Sequence, residues 1–212
     1  MFVRAAAAAA FALSCAPMAH AQDAATPAAT PAPAQTPEEA AAARREFMIQ
    51  HIVNAPSPVN HQIYGPRQTN SIVNDATVQG GKAMRVVIAN TGGNPWDISV
   101  SSSTEKEIKS GDVLLGAFWL RSVTPPADGP ARLNARIQGS DAPYTQIAQT
   151  EITVGPEWKL YFTSATAAGD FAAGKAVSQL HLNMGGAQTI DLGPFYIFNF
   201  CAGYDTAKLP TN

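Results

Sequence analysis

From about residue 59 onward, apolar and polar residues alternate with a period of two, and Gly, Pro, Asn and Asp cluster between the runs. That period belongs to strands whose successive side chains point to opposite faces. Strands are predicted over residues 71–79, 82–90, 97–101, 113–123, 132–139, 145–152, 158–164, 176–184 and 189–200. Gly80-Gly81 predicts a tight hairpin between the first two, because paired glycines supply the positive φ of such turns. In the last strand Phe195, Tyr196, Phe198 and Phe200 occupy both registers, as in a strand buried on two sides. Short strands with no long helix between them predict an all-β, antiparallel β-sandwich. No internal repeat is visible, which argues against propellers and solenoids.

Alternation also sorts the side chains of four strands into rows. Residues 115–121 place Leu115, Ala117, Trp119 and Arg121 opposite Gly116, Phe118 and Leu120. Residues 132–138 set Arg132, Asn134, Arg136 and Gln138 against Leu133, Ala135 and Ile137. In 179–184, Gln179, His181 and Asn183 oppose Leu180, Leu182 and Met184. In 158–163, Lys159, Tyr161 and Thr163 oppose Trp158, Leu160 and Phe162, which are assigned to the core. The polar rows are rich in Arg, Gln, Asn, His, Trp and Tyr, poor in Lys and free of carboxylates. Fork-shaped guanidinium donors, amides that both donate and accept, and flat rings suit a ligand covered in hydroxyls with C–H faces, as a sugar is. A satisfied polar network under a loop, or a plain solvated face, would have the same composition.

The first residues follow another pattern. Met1–Arg4 carry one positive charge, residues 5–16 are apolar, and Ala19-His20-Ala21 has the small residues of a cleavage site. This is the layout of a secretory signal peptide over residues 1–21, which places the protein in the periplasm or outside the cell. Lipidation at Cys15 is disfavoured by the position of Leu13. Residues 22–45 form an Ala/Pro/Thr-rich linker in which Thr36, Pro37, Glu38 and Glu39 start a short helix. The sandwich is assigned to 46–205 and a tail to 206–212. No run reaches the roughly 18 apolar residues of a membrane span.

Composition narrows the classes further. The 212 residues are 46% hydrophobic and 14% charged, with net charge −2 and pI near 6.0, which gives no support to nucleic-acid binding. Cleavage after Ala21 removes Arg4 and no acid, taking the charge to −3. It also removes one of two cysteines. Cys201 is then expected to pack as a small buried apolar side chain, with no intramolecular disulfide. His51, His61 and His181 show no metal-ligand spacing, and no Gly-x-Ser-x-Gly elbow occurs. Asp97 and Asp191 could face a common groove, but nothing in their spacing requires it, so no catalytic residue is assigned and a binding role is favoured over an enzymatic one.

The runs Gly80-Gly81-Lys82-Ala83-Met84-Arg85-Val86, Asn94-Pro95-Trp96-Asp97, Lys109-Ser110-Gly111-Asp112-Val113-Leu114 and Phe118-Trp119-Leu120-Arg121 resemble carbohydrate-binding modules of the CenC type. Pro143-Tyr144, 157–161 and 188–194 follow in the same order, so the resemblance spans about 70–202. It implies a galactose-binding-like jelly roll of the kind attached to secreted xylanases and glucanases. It further implies a sheet face that binds a polysaccharide or oligosaccharide through Trp119, Arg121, Arg136, Gln138, Gln179 and His181. Trp96 is a rim candidate, and Tyr161 joins the set from its row. Such modules often hold a structural calcium ion, but residues 47–60 lack the acidic residue of the usual first strand, so no cofactor is expected. A monomer binding a glycan is the leading expectation. The alternatives are an envelope domain that docks a protein partner through the aromatic last strand, and a glycan-active hydrolase.

Overall fold

The structure, a computed structural model, describes residues 36–90 and 92–212. The segment expected to be a signal peptide and most of the expected Ala/Pro linker lie outside them. The chain enters through helix α1 (Pro37–His51), then forms ten strands. These are β1 (Gln62–Tyr64), β2 (Gln68–Asn74), β3 (Lys82–Ile88), β4 (Ser99–Ser103), β5 (Asp112–Thr124), β6 (Ala131–Gly139), β7 (Gln146–Val154), β8 (Lys159–Thr166), β9 (Ala176–His181) and β10 (Gln188–Ala202). They make two five-stranded antiparallel sheets, ordered β1-β4-β9-β6-β7 and β2-β3-β10-β5-β8. Only the β2-β3 and β6-β7 hairpins join neighbours in one sheet. Every other connection crosses between the layers, giving a β-sandwich with jelly-roll wiring.

The core between the layers follows the alternation. Met84, Val86 and Ile88 from β3, Phe118 and Leu120 from β5, and Ile190, Leu192 and Phe195 on β10 meet Leu133 and Ala135 of β6 and Leu180 of β9. Each apolar side chain that is fully buried contributes about 1.5–3 kcal/mol relative to exposure. A second cluster around Ile108, Leu114, Ile137 and Ile197 extends this core.

A further apolar layer lies on the outer face of the second sheet. Leu115, Ala117, Phe198 and Phe200 are covered there by Met48 and Ile52 of the N-terminal segment and by Tyr204 and Leu209 of the C-terminal one. Asn212 fastens the C terminus by bonding both the backbone N–H and C=O of Phe162. The last strand is therefore central and buried on two sides, as its double register implies. Its aromatics are not an exposed docking strip.

Helix α1 begins with a capping box: Thr36 Oγ1 accepts from the Glu39 N–H at 3.2 Å and Glu39 Oε2 accepts from the Thr36 N–H at 2.8 Å. It continues to His51 beyond the short helix read from sequence, because Phe47 and His51 stack against Phe200.

Four expectations need correction. The β2-β3 connection is not a two-residue turn but the loop 75–81, since Asn74 pairs with Lys82. In β8 the register is inverted. Tyr161 and Thr163 face the core, whereas Leu160 and Phe162 pack outward under the terminal segments. The more apolar row faces outward because the terminal segments cover it, so alternation pointed to the wrong face. Trp158 lies outside the inter-sheet core, beneath Arg121. Finally, Cys201 is half-buried at the end of β10, not enclosed in the core.

Candidate functional site: a polar trough on the first sheet

The outer face of the first sheet is organised as ladders across β4, β9 and β6. Ser99, His181 and Asn134 are lateral partners; so are Ser101, Gln179 and Arg136, and so are Ser103, Val177 and Gln138. Neighbouring strands lie about 4.8 Å apart, so each ladder presents a short transverse row. The serines of β4 are small and leave a trough of about 790 Å³. Gln62 and Tyr64 of β1 form one wall, and Arg136 and Gln138 of β6 the other.

Aromatic rings stand at both ends. Trp96 and Tyr64, 56% and 51% exposed, flank one end, and Tyr144, 56% exposed, flanks the other beside Pro143. Trp96 sits in the turn Pro95–Asp97, where Asp97 accepts from the Asn94 N–H at 3.0 Å. Asn183 ties this loop to the sheet: its amide donates to the carbonyls of Gly92 at 2.8 Å and Asn94 at 2.6 Å. The ring of Trp96 meets His181 edge-on, with centroids 6.2 Å apart.

The floor carries polar atoms that the fold does not satisfy. Among the described residues, six buried side-chain nitrogen or oxygen atoms have no hydrogen-bond partner. Three of them, Arg136 Nε, Gln179 Oε1 and His181 Nδ1, belong to neighbouring positions of β6 and β9, where the floor meets the β6 wall. Buried polar groups are nearly always paired, so such a concentration calls for a reason. The rest of each group is held in place. Arg136 donates to Gln149 Oε1 at 2.6 Å and Gln146 Oε1 at 3.1 Å, and Gln179 donates to Ser99 Oγ at 3.1 Å. His181 is 4% exposed. Burial, and secondarily the charge of Arg136, lowers its pKa to about 4, so the imidazole is neutral at pH 7 and offers one donor and one acceptor. Among the described residues no carboxylate and no lysine lines the trough.

Five of the eight sequence-derived site residues, Trp96, Arg136, Gln138, Gln179 and His181, line this trough. The other three do not. Trp119 and Arg121 lie on β5, in the opposite sheet, so the four polar rows do not form one face. Trp119 donates to Gln79 Oε1 at 3.2 Å and packs closely over Gly193, where a Cβ would stand 2.8 Å from both Trp119 and Val78. Arg121 is engaged by Asp191 and Asp75 at 2.8 Å each. Tyr161 is buried in the inter-sheet core, its hydroxyl accepting from the Gly155 N–H at 3.1 Å.

The trough residues not assigned from sequence include Gln62, Tyr64, Ser99, Ser101, Ser103 and Tyr144. The alternating serines were legible as a polar row, whereas β1 is three residues long and gives no periodicity. The carboxylates Asp97 and Asp191 are separated in the fold: Asp97 caps the Trp96 turn and Asp191 lies under two arginines of the second sheet. Among the described residues no group of three or more His, Cys, Asp or Glu is placed to hold a metal ion, and no helix is long and apolar enough to cross a membrane.

No protein-family model and no curated protein matches the chain. Solved structures similar to it are mostly carbohydrate-binding modules. One is a CBM4 structure, 18% identical with a TM-score of 0.47, covering 68% of this chain and 90% of that one. Another is the N-terminal cellulose-binding domain of Cellulomonas fimi β-1,4-glucanase C, 15% identical with a TM-score of 0.49, covering 68% and 91%. A third is the CBM22-1–GH10 portion of endo-1,4-β-D-xylanase 10B from Clostridium thermocellum in complex with xylohexaose. There the identity is 13% and the TM-score 0.47, and the match covers 76% of this chain but 29% of the xylanase chain.

Proposed function

We propose that this protein binds a polysaccharide or oligosaccharide in the trough of the first sheet, and does so without breaking bonds. The observation that carries the proposal is the coincidence, on one face, of three unsatisfied polar atoms with exposed rings at both ends. A chain of pyranose rings supplies both complements: hydroxyls that donate and accept, and C–H faces that stack on aromatics. Serines along β4 leave room for the rings to sit low. Glycoside hydrolysis commonly uses two carboxylates flanking the scissile bond, and among the described residues the trough lining contains none. The tripartite pattern of residues 1–21 supports a periplasmic or extracellular site of action.

Affinity electrophoresis through xylan, β-glucan, mannan and pectin gels tests the proposal. Retardation by at least one polymer is expected. Trp96→Ala and Tyr144→Ala are each expected to weaken binding roughly 10-fold, or about 1.4 kcal/mol, since each removes one stacking platform. Trp119→Leu, on the opposite sheet, is expected to leave retardation unchanged. Loss of binding in Trp119→Leu with none in the trough variants would place the site on the other sheet. A folded protein retarded by no polymer would remove the sugar-binding reading.

A further inference from the structure

We propose that the trough selects an anionic glycan, one whose sugars carry carboxylate or sulfate ester groups, and that Arg136 receives that charge. The inference rests on the reading of the trough as a glycan site and names the ligand class. Its basis is the contrast with the other half-buried guanidinium groups, Arg85 and Arg121. Arg85 and Arg121 share Asp191, and Arg121 also reaches Asp75 at 2.8 Å. Arg132, on the strand that carries Arg136, lies 3.9 Å from Glu151. Arg136 is half-buried, yet its bonded partners are the neutral amides of Gln146 and Gln149, and no carboxylate among the described residues stands within ion-pair distance.

Desolvating a charge without a counter-charge is costly, and elsewhere the fold meets that cost with aspartate or glutamate. In the trough none of the described residues does so. The lining contains no acid, and the neighbouring His181 is neutral at pH 7. Burial also pulls the Arg136 pKa downward, which an anion seated beside it would reverse. The two glutamines fix the plane of the guanidinium, so it is oriented before any ligand arrives. A planar fork of N–H donors matches the oxygens of a carboxylate or sulfate group. The whole chain is weakly acidic, net −2, so a general attraction to polyanions is not expected. Selectivity would have to arise locally.

The test compares glucuronoxylan with its carboxyl-reduced form, and a sulfated galactan with its desulfated form, by titration calorimetry on the whole protein. At low salt, one anionic polymer is expected to bind at least about 10-fold more tightly than its neutral counterpart, and the ratio is expected to shrink as salt screens the pair. Arg136→Gln is expected to bring that ratio to about one, and Arg136→Lys to preserve part of it. The polymer showing the preference identifies carboxylate or sulfate as the source. Equal binding of charged and neutral forms would overturn the inference while leaving the trough as a glycan site. So would a preference that survives Arg136→Gln. Binding of none of the four polymers would overturn the inference too, and the glycan reading with it only where no gel polymer retards the protein.

Discussion

Replacing Asp191 by alanine is expected to destabilise the protein by about 3–5 kcal/mol, the cost of removing one partner from a buried ion pair. Asp191 is 0% exposed on β10, yet its outward register places it between Arg85 of β3 and Arg121 of β5. Its carboxylate accepts four hydrogen bonds, from Arg85 Nε and Nη2 at 2.7 and 2.9 Å and from Arg121 Nε and Nη2 at 3.1 and 2.8 Å. Arg121 continues the chain to Asp75 and lies 4.9 Å from the centroid of the Trp158 ring, whose Nε1 donates to Asp75 at 3.1 Å. This alternation of charge joins three adjacent strands of the second sheet to the 75–81 loop. Removing the central anion leaves two guanidinium groups facing each other with no carboxylate between them. Urea unfolding measures the effect. A loss below about 1 kcal/mol would mean that solvent already screens the network, as it does for exposed pairs.

Acid is expected to weaken the fold in a window set by two histidines. His61 stacks on Phe195 with ring centroids 4.0 Å apart, and its Nε2 lies 3.0 Å from the Gly193 carbonyl oxygen. Burial lowers its pKa to about 4, partly offset by that backbone contact. His181 is lowered to about 4 by burial and by Arg136. In both, the folded state favours the neutral ring. At neutral pH neither ring is charged in either state. As pH falls below the ordinary value of 6.5, the unfolded chain takes up protons and the folded one does not, so stability declines until about pH 4. Each histidine contributes a decline on the order of 3 kcal/mol over this range. Asp75 acts lower down. Hydrogen bonds from Thr77 and Trp158 hold its pKa at about 2, so its share of stability is lost only between about pH 4 and 2. Unfolding free energies between pH 7 and 4 check this, and His181→Gln is expected to reduce the slope by about half. A flat profile from pH 7 to 4 would mean that both rings protonate in the folded protein.

What the sequence disclosed depended on whether one face of a strand was polar. On β6 and β9 it was, and Arg136, Gln138, Gln179 and His181 could be placed on the outer face from alternation alone. On β5 the split between Phe118 and Trp119 was equally clear, but alternation does not say to which sheet a strand belongs. Trp119 and Arg121 therefore joined a row that the topology puts on the other side of the molecule. On β8 the more apolar row, Leu160 and Phe162, faces out beneath the terminal segments, so alternation assigned the inner face the wrong way, Tyr161 with it. The trough's far wall was hidden for another reason. Tyr64 stands on a three-residue strand and Tyr144 in a turn, and neither position has a period to reveal its direction.

Chemical-shift mapping of the backbone amides during titration with the glycan that retards the protein most is the most direct test of the trough. Shifts are expected on β1, β4, β9 and β6 and in the loops carrying Trp96 and Tyr144, with the second sheet unmoved. Shifts centred on Trp119, Arg121 and the 75–81 loop would contradict the assignment and put the binding face on the opposite sheet.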